Sequence, residues 1–160
     1  MHIRTYEAND REACLAIFAS NTPPYFDVSE YQFLDNWLTK KGQGELCYES
    51  NAAETFFVLE IENKVLACGG YYIPKNEKRA NMVWGMVHNA AHHQGLGKQL
   101  LLFRVDEITR LYPLHSISLD TSQHTFRFFE RLGFRTLKCI HNGYGEGLHR
   151  YDMLREKNIS

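Results

Sequence analysis

The segment His92-His93-Gln94-Gly95-Leu96-Gly97-Lys98 carries the residue types and spacing best suited to chemistry in this 160-residue chain. Two glycines one residue apart, leading into a helical stretch, let backbone N–H groups approach an anion closely, and a helix N-terminus adds partial positive charge. Phosphate or pyrophosphate binding is the chemistry on offer. The spacing alone also suits an ordinary turn, since there is no third glycine of the dinucleotide fingerprint and no Gly-Lys-Ser/Thr ending of a mononucleotide loop. His88, His92 and His93 bring imidazoles together as zinc or nickel would require, but no carboxylate or cysteine joins them. Anion binding explains the same residues better, and no metal is expected.

The elements that must position this loop follow from periodicity. Residues 3–7 alternate as a first strand, and Asn9-Asp10 offers an N-cap for a helix over 11–19. Asn21-Thr22-Pro23-Pro24 breaks it. Ser29 and Gln32 form a capping-box pattern for a second helix carrying Phe33, Leu34, Trp37 and Leu38, ended by Gly42 and Gly44. Strands are predicted over 55–61 and 64–73, joined at Glu62-Asn63, and over 79–88 after a turn at Pro74-Lys75-Asn76-Glu77. The glycine segment then opens a helix bearing Leu101, Val105, Ile108 and Tyr112, stopped by Pro113. A strand over 115–121, a short helix over 123–132 closed by Gly133, and strands over 134–141 and 148–154 around a glycine-rich loop complete the chain. The order is β-α-α-β-β-β-α-β-α-β-β, a single α+β domain over 1–160 with a mixed central sheet.

Composition narrows the function. Eighteen Lys and Arg against 19 Asp and Glu leave a formal charge of -1, so there is no basic nucleic-acid footprint. Cys14, Cys47, Cys68 and Cys139 are scattered without a C-x-x-C pair, which reads as reduced structural thiols. The first residues lack a signal-peptide h-region and no stretch nears the roughly eighteen apolar residues of a membrane span, so a cytoplasmic protein without a membrane partner is expected.

Two segments in order carry a family resemblance. Val87-His88-Asn89 with His92-His93-Gln94-Gly95-Leu96-Gly97 resembles the fourth-strand end and Arg/Gln-x-x-Gly-x-Gly/Ala loop of the GNAT superfamily of acyl-CoA N-acetyltransferases. Thr121-Ser122 and Phe128-Phe129-Glu130-Arg131-Leu132-Gly133-Phe134 resemble its Asn-x-x-Ala-x-x-Phe-Tyr-Glu-Lys-x-Gly-Phe segment. The resemblance implies a GNAT-like fold and an acetyl-CoA-dependent N-acetyltransferase that uses no metal and acts on an amine-bearing acceptor by direct attack. It also implies that Met86 and Val87 bond the pantetheine arm, that His92, His93, Gln94, Gly95, Leu96, Gly97 and Lys98 grip the pyrophosphate, and that Ser122 lies near the arm, where it is a further catalytic candidate. A β-bulge in the Gly85-Met86-Val87 stretch would free a backbone N–H for the thioester carbonyl.

Two departures bear on mechanism. His92 replaces the usual Arg or Gln and offers one neutral donor in place of a forked cation. Phe129 stands where a tyrosine commonly protonates the leaving thiolate, so Tyr144 in the 143–147 glycine loop is a candidate replacement, against a plain turn tyrosine. The fourth strand has no carboxylate, which leaves His88 as the nearest titratable side chain for a base, against a plain strand-end histidine. Tyr25 and Phe26, between the first two helices, would line the acceptor wall or cap the core. A non-catalytic acyl-CoA-binding or sensor domain is the rival that Phe129 suggests, and a homodimer is left open.

Overall fold

Alternating apolar residues give the central strands two buried faces, and helices cover both. The computed structural model describes residues 1–157. Its strands are β1 (His2–Thr5), β2 (Asn51–Ile61), β3 (Lys64–Pro74), β4 (Arg79–Val87), β5 (Ser116–Thr121), β6 (Arg135–Gly145) and β7 (Leu148–Arg155), and its helices are α1 (Arg11–Ser20), α2 (Tyr31–Gly42), α3 (Leu96–Leu111) and α4 (Phe126–Glu130). One sheet runs in the order β1-β2-β3-β4-β5-β7-β6, antiparallel throughout except for the parallel β4–β5 pair. The expected α+β class and element order are those observed.

On one face, Leu100, Leu101 and Ile108 of α3 pack against Leu59, Ala67, Tyr71, Met82, Ile117, Leu119 and Met153. On the other, Cys14, Ile17 and Phe18 of α1 and Leu34, Trp37 and Leu38 of α2 cover Phe56, Val58, Cys68 and Met86. Each large side chain buried this way contributes about 2 kcal/mol. Consecutive residues Phe56, Phe57, Val58 and Leu59 divide between the two clusters, as period-two alternation requires.

Several boundaries differ from expectation for local reasons. The box before α2 is formed by Asp27 and Glu30, not Ser29 and Gln32: the Asp27 carboxylate accepts from the Ser29 N–H at 2.9 Å and the Asp27 N–H donates to Glu30 Oε2 at 2.9 Å. Ser29 cannot serve as the cap because its N–H and its hydroxyl both donate to Asp27 Oδ1, at 2.9 and 2.6 Å. The expected 142–147 loop is mostly strand, because β6 runs to Gly145 across an irregular stretch after Ile140 in which Asn142 adopts φ +54°. Asn142 Oδ1 accepts from the Gly147 N–H at 2.8 Å and closes the turn.

Candidate active site: the cleft between the fourth and fifth strands

β4 and β5 pair only from Arg79, Ala80 and Asn81 to Ser116, Ile117 and Ser118, and beyond Asn81 the strands separate. A bulge widens the opening. Gly70 pairs with Val83 and Cys68 with Met86, so Trp84 and Gly85 together face Gly69 alone, with Trp84 at φ +52°. Val83 and Trp84 consequently both pack toward α1 and α2, where Trp84 meets the rings of Phe18 and Phe26, each at 6.4 Å, and Gly85 is left exposed. The bulge thus begins one residue before the stretch in which the sequence places it, because the aromatic cluster holds Trp84 in a conformation a non-glycine residue seldom adopts.

Past the bulge, the His88 N–H donates to Leu66 O at 2.8 Å, so by alternation Met86 directs its backbone groups to β3 while Val87 faces the opening. Val87 and the exposed Gly85 therefore turn backbone groups to the opening, while those of Met86 pair with β3. The Val87 carbonyl already accepts from Asn21 Nδ2 at 2.8 Å and from His92 Nε2 at 2.9 Å. The His92 ring is therefore turned onto the strand end, away from the helix start, and its edge contacts Tyr25 at 5.3 Å between centroids. A strand-end carbonyl with nothing beyond it in the sheet is what captures the imidazole.

The helix start itself is open. Gly95 has φ +80° with no atom within 4 Å of the position a Cβ would take, and a Cβ at Gly97 would sit 3.4 Å from Val87 Cγ2. His93, Gln94, Gly95 and Lys98 are exposed, while Leu96 is buried and pins the first turn to the core. First-turn N–H groups lack intrahelical acceptors, so the cradle leaves donors free for an anion. Among the described residues no group of three or more His, Cys, Asp or Glu side chains gathers as a metal site.

The candidate proton-transfer residues occupy different places. His88 Nδ1 accepts from the Ala90 N–H at 3.2 Å, so a neutral ring carries its proton on Nε2 and has no free lone pair to act as base. Ser122 is buried, and its Oγ accepts from the His124 N–H at 3.3 Å at the turn into α4. Phe129 packs edge-on to Phe128 and Phe134. The Tyr144 phenol donates to Asp120 Oδ2, and burial, then the Asp120 charge, push its pKa far up. The hairpin tip bearing it reaches Asp27, since a Cβ on Gly145 would lie 2.5 Å from Asp27 Oδ2. Tyr25 meets His92 at 5.3 Å and His124 at 5.5 Å, spanning the mouth between the ends of β4 and β5, while Phe26 faces the Trp84 side.

Sequence reasoning missed four residues of this cleft. Glu30 has its pKa raised by burial first, with Asp120 and Asp27 adding repulsion. Asp120 alternates with the buried Leu119 and so points to the α1 and α2 face. Asn21 is 3% exposed and ties α1 to β4, and Arg104 is 4% exposed beneath the bulge. Only Arg104 carried a usable signal: a cation among the apolar positions of a buried helix face.

Parallel strands β4 and β5 that separate after Asn81, with an open glycine helix start beside them, are the arrangement that an acyl-CoA-dependent transferase requires. The profile of the family described as "Acetyltransferase (GNAT) domain" matches residues 52–136, and the chain belongs to that family. Its chemistry is acetyl transfer from acetyl-CoA. Among solved structures, a protein assigned to the GNAT family from Desulfovibrio desulfuricans aligns with TM-score 0.78 at 20% identity over 97% of this chain and 98% of its own. The ribosomal-protein-S18-alanine N-acetyltransferase of Escherichia coli gives 0.75 at 20% identity over 99% and 95%. A Salmonella typhimurium protein assigned as an acetyltransferase, solved with acetyl-CoA, gives 0.77 at 19% identity over 100% and 95%. No curated protein sequence matches the chain. Among the described residues no helix is long and apolar enough to cross a membrane.

Proposed function

We propose that the protein is an N-acetyltransferase that moves the acetyl group of acetyl-CoA to a primary amine by direct attack in a ternary complex. The observation that carries this reading is that β4, unpaired with β5 beyond Asn81, ends beside the open helix start, where a Cβ on Gly97 would lie 3.4 Å from Val87 Cγ2. There His93, Gln94, Gly95, Gly97 and Lys98 hold the pyrophosphate, and the Val87 N–H with the Gly85 backbone holds the arm, the Val87 carbonyl being already taken. Bound acetyl-CoA supplies an activated thioester; the chain supplies position and charge.

The acceptor enters from the α1 and α2 side. Tyr25, Phe26 and Trp84 form its aromatic wall, and Glu30 and Asp120 supply negative charge that favours an ammonium. The amine must shed a proton before attack, and carboxylates facing that side are better placed to receive it than His88, whose Nδ1 is engaged. Tyr144, committed to Asp120, orients that carboxylate and closes the hairpin over the acceptor. An assay of CoA thiol release over a panel of amines tests the proposal: cationic amines with an apolar body should be accepted. Tight acetyl-CoA binding with no thiol release from any amine class would overturn it.

A further inference from the structure

Among the described residues Arg104 is the one cation buried against the cleft, and the transfer reaction proposed above gives it no part. It lies on the inner face of α3, 4% exposed. Its guanidinium is inserted beneath three glycines of the sheet: a Cβ on Gly69 would fall 2.8 Å from Cζ, a Cβ on Gly85 would fall 3.0 Å from Nη2, and Nη1 donates to Gly70 O at 3.1 Å. Nε adds a long bond of 3.4 Å to Leu100 O. Among the described residues no carboxylate pairs with it. Cys68 does not neutralise it either, because the hydrogen bond its thiol donates to Cys14, and then burial, push that thiol's pKa well up and keep it uncharged.

Burying an ionised side chain without a counter-ion costs several kcal/mol, and an apolar residue of similar size would normally be preferred. Burial draws the Arg104 pKa down to about 10, which still leaves it charged at neutral pH. The Nη2 end abuts Gly85, where β4 has left its neighbour and the backbone is exposed. A fixed positive charge therefore stands directly behind the acyl end of the proposed cleft, on the α3 and α4 face. On that same face Phe129 supplies no proton.

We propose that Arg104 is the buried cation that stabilises the CoA thiolate as it departs, in place of a proton donor; this rests on the acetyl-transfer reading above. In the step, the amine nitrogen bonds to the thioester carbonyl carbon and the C–S bond breaks with its electron pair on sulfur. The proton shed by the amine passes to the carboxylate side or to water, Arg104 keeps its own, and the products are the amide and CoA as thiolate. A preorganised charge in a water-poor site needs no reorganisation at the moment the sulfur becomes negative. The same charge acts on the product complex, so it is measurable at equilibrium and without turnover.

The test is the titration of bound CoA by the ultraviolet absorbance of its thiolate, in wild type, Arg104→Met and Arg104→Lys. Free CoA titrated in the same buffer gives the reference, and CoA bound to wild type should titrate at least about one unit lower, a tenfold preference for thiolate over thiol. Arg104→Met should return it to the ordinary value while still being stabilised by acetyl-CoA, and Arg104→Lys should keep part of the shift. Arg104→Met removes an unpaired buried charge and should fold; if it does not, the wild-type titration and the lysine variant decide. An unshifted thiol in wild type, an equal shift in Arg104→Met, or a folded Arg104→Met that no longer binds acetyl-CoA would each overturn the proposal. So would a preference for succinyl-CoA over acetyl-CoA that vanishes in Arg104→Met, since Arg104 would then read an acyl carboxylate. Failure of wild type to bind acetyl-CoA at all would sink the transferase reading; binding with an unshifted thiol sinks only this one.

Discussion

Gly95 and Gly97 separate the anion cradle from fold stability, because the structure predicts different consequences for each. Gly95 sits at φ +80° with open space around its absent side chain, so Gly95→Glu meets no atom and carries only the left-handed backbone penalty. That penalty is about 1–2 kcal/mol, which in a domain of this size lowers the apo Tm by roughly 2–4 °C per kcal/mol. At Gly97 a Cβ would touch Val87 Cγ2 at 3.4 Å, an ordinary contact, and the backbone is not left-handed, so Gly97→Glu should leave the apo Tm nearly unchanged. Acetyl-CoA at a hundred times its Kd stabilises wild type by about 2.7 kcal/mol, a rise of about 5–10 °C on the same scale. Both variants place a carboxylate where the pyrophosphate should lie and should lose that rise. Thermal melts with and without acetyl-CoA, repeated with adenosine as a control lacking the pyrophosphate, read both quantities. A full ligand-induced rise in both variants would refute the placement of the phosphate at the start of α3.

Three further outcomes follow from named contacts. Tyr144→Phe should cost less than about tenfold in kcat/KM, mostly through KM for the amine, because its phenol is committed to Asp120; a kcat drop of about a hundredfold or more, the usual loss of a general acid, would place the proton donor on the hairpin. Gly69→Ala, which drives a Cβ to 2.8 Å from the Arg104 guanidinium, should destabilise by about 1–3 kcal/mol, and a denaturation cycle with Arg104→Met should recover most of it; additivity would mean that the glycine is required for another reason. Burial would raise the Asp10 pKa, but bonds from Arg4 at 2.8 and 2.9 Å and from the Glu7 N–H outweigh it and lower it. The stabilisation this gives is therefore complete above the ordinary carboxylate range and is lost as pH falls below it. Urea midpoints measured from pH 6 to pH 2 should fall in acid for wild type and more shallowly for Asp10→Asn.

What the sequence disclosed and what it withheld divide along local and non-local physics. Helix α3 was legible because Leu101, Val105 and Ile108 repeat at helical spacing, and the anion cradle because Gly95 and Gly97 precede it in the chain. The Glu62-Asn63 connection was legible as a hairpin turn, and both residues take the positive φ, +51° and +64°, that such a turn requires. The His92 ring was not: its partner, the Val87 carbonyl, is free for it only because β5 has diverged from β4, a property of two strands. Glu30 and Asp120 stand 90 positions apart in the numbering, and only the tertiary fold brings the Asp120 charge within reach of Glu30. Arg104 was visible as a misfit on an apolar helix face, but its meaning depends on Gly69, Gly70 and Gly85, which belong to two other elements.

The two faces of the sheet differ in a way that bears on the proposed attack of an amine on acetyl-CoA. Attack of a neutral amine on a thioester creates positive charge on nitrogen and negative charge on oxygen and then sulfur, so the path to product is a growing dipole. On the α1 and α2 side the fold gathers Glu30 and Asp120, whose mutual repulsion helps raise the Glu30 pKa. On the α3 side, behind the exposed Gly85, it buries the unpaired Arg104. The bulge at Trp84 and Gly85 lies between the two, where the sheet is thinned to backbone. A field fixed in that direction opposes any bound dipole of reverse sense and favours the one the reaction forms, with protein charges already in place and no solvent to reorient. It acts on the nitrogen and the sulfur at once, so removing one end should weaken the benefit of the other. Loss in Arg104→Met and in a Glu30→Gln variant should then be non-additive in kcat, although the residues share no contact. Strict additivity of the two losses would show that each charge acts alone, and the paired field would have to be given up.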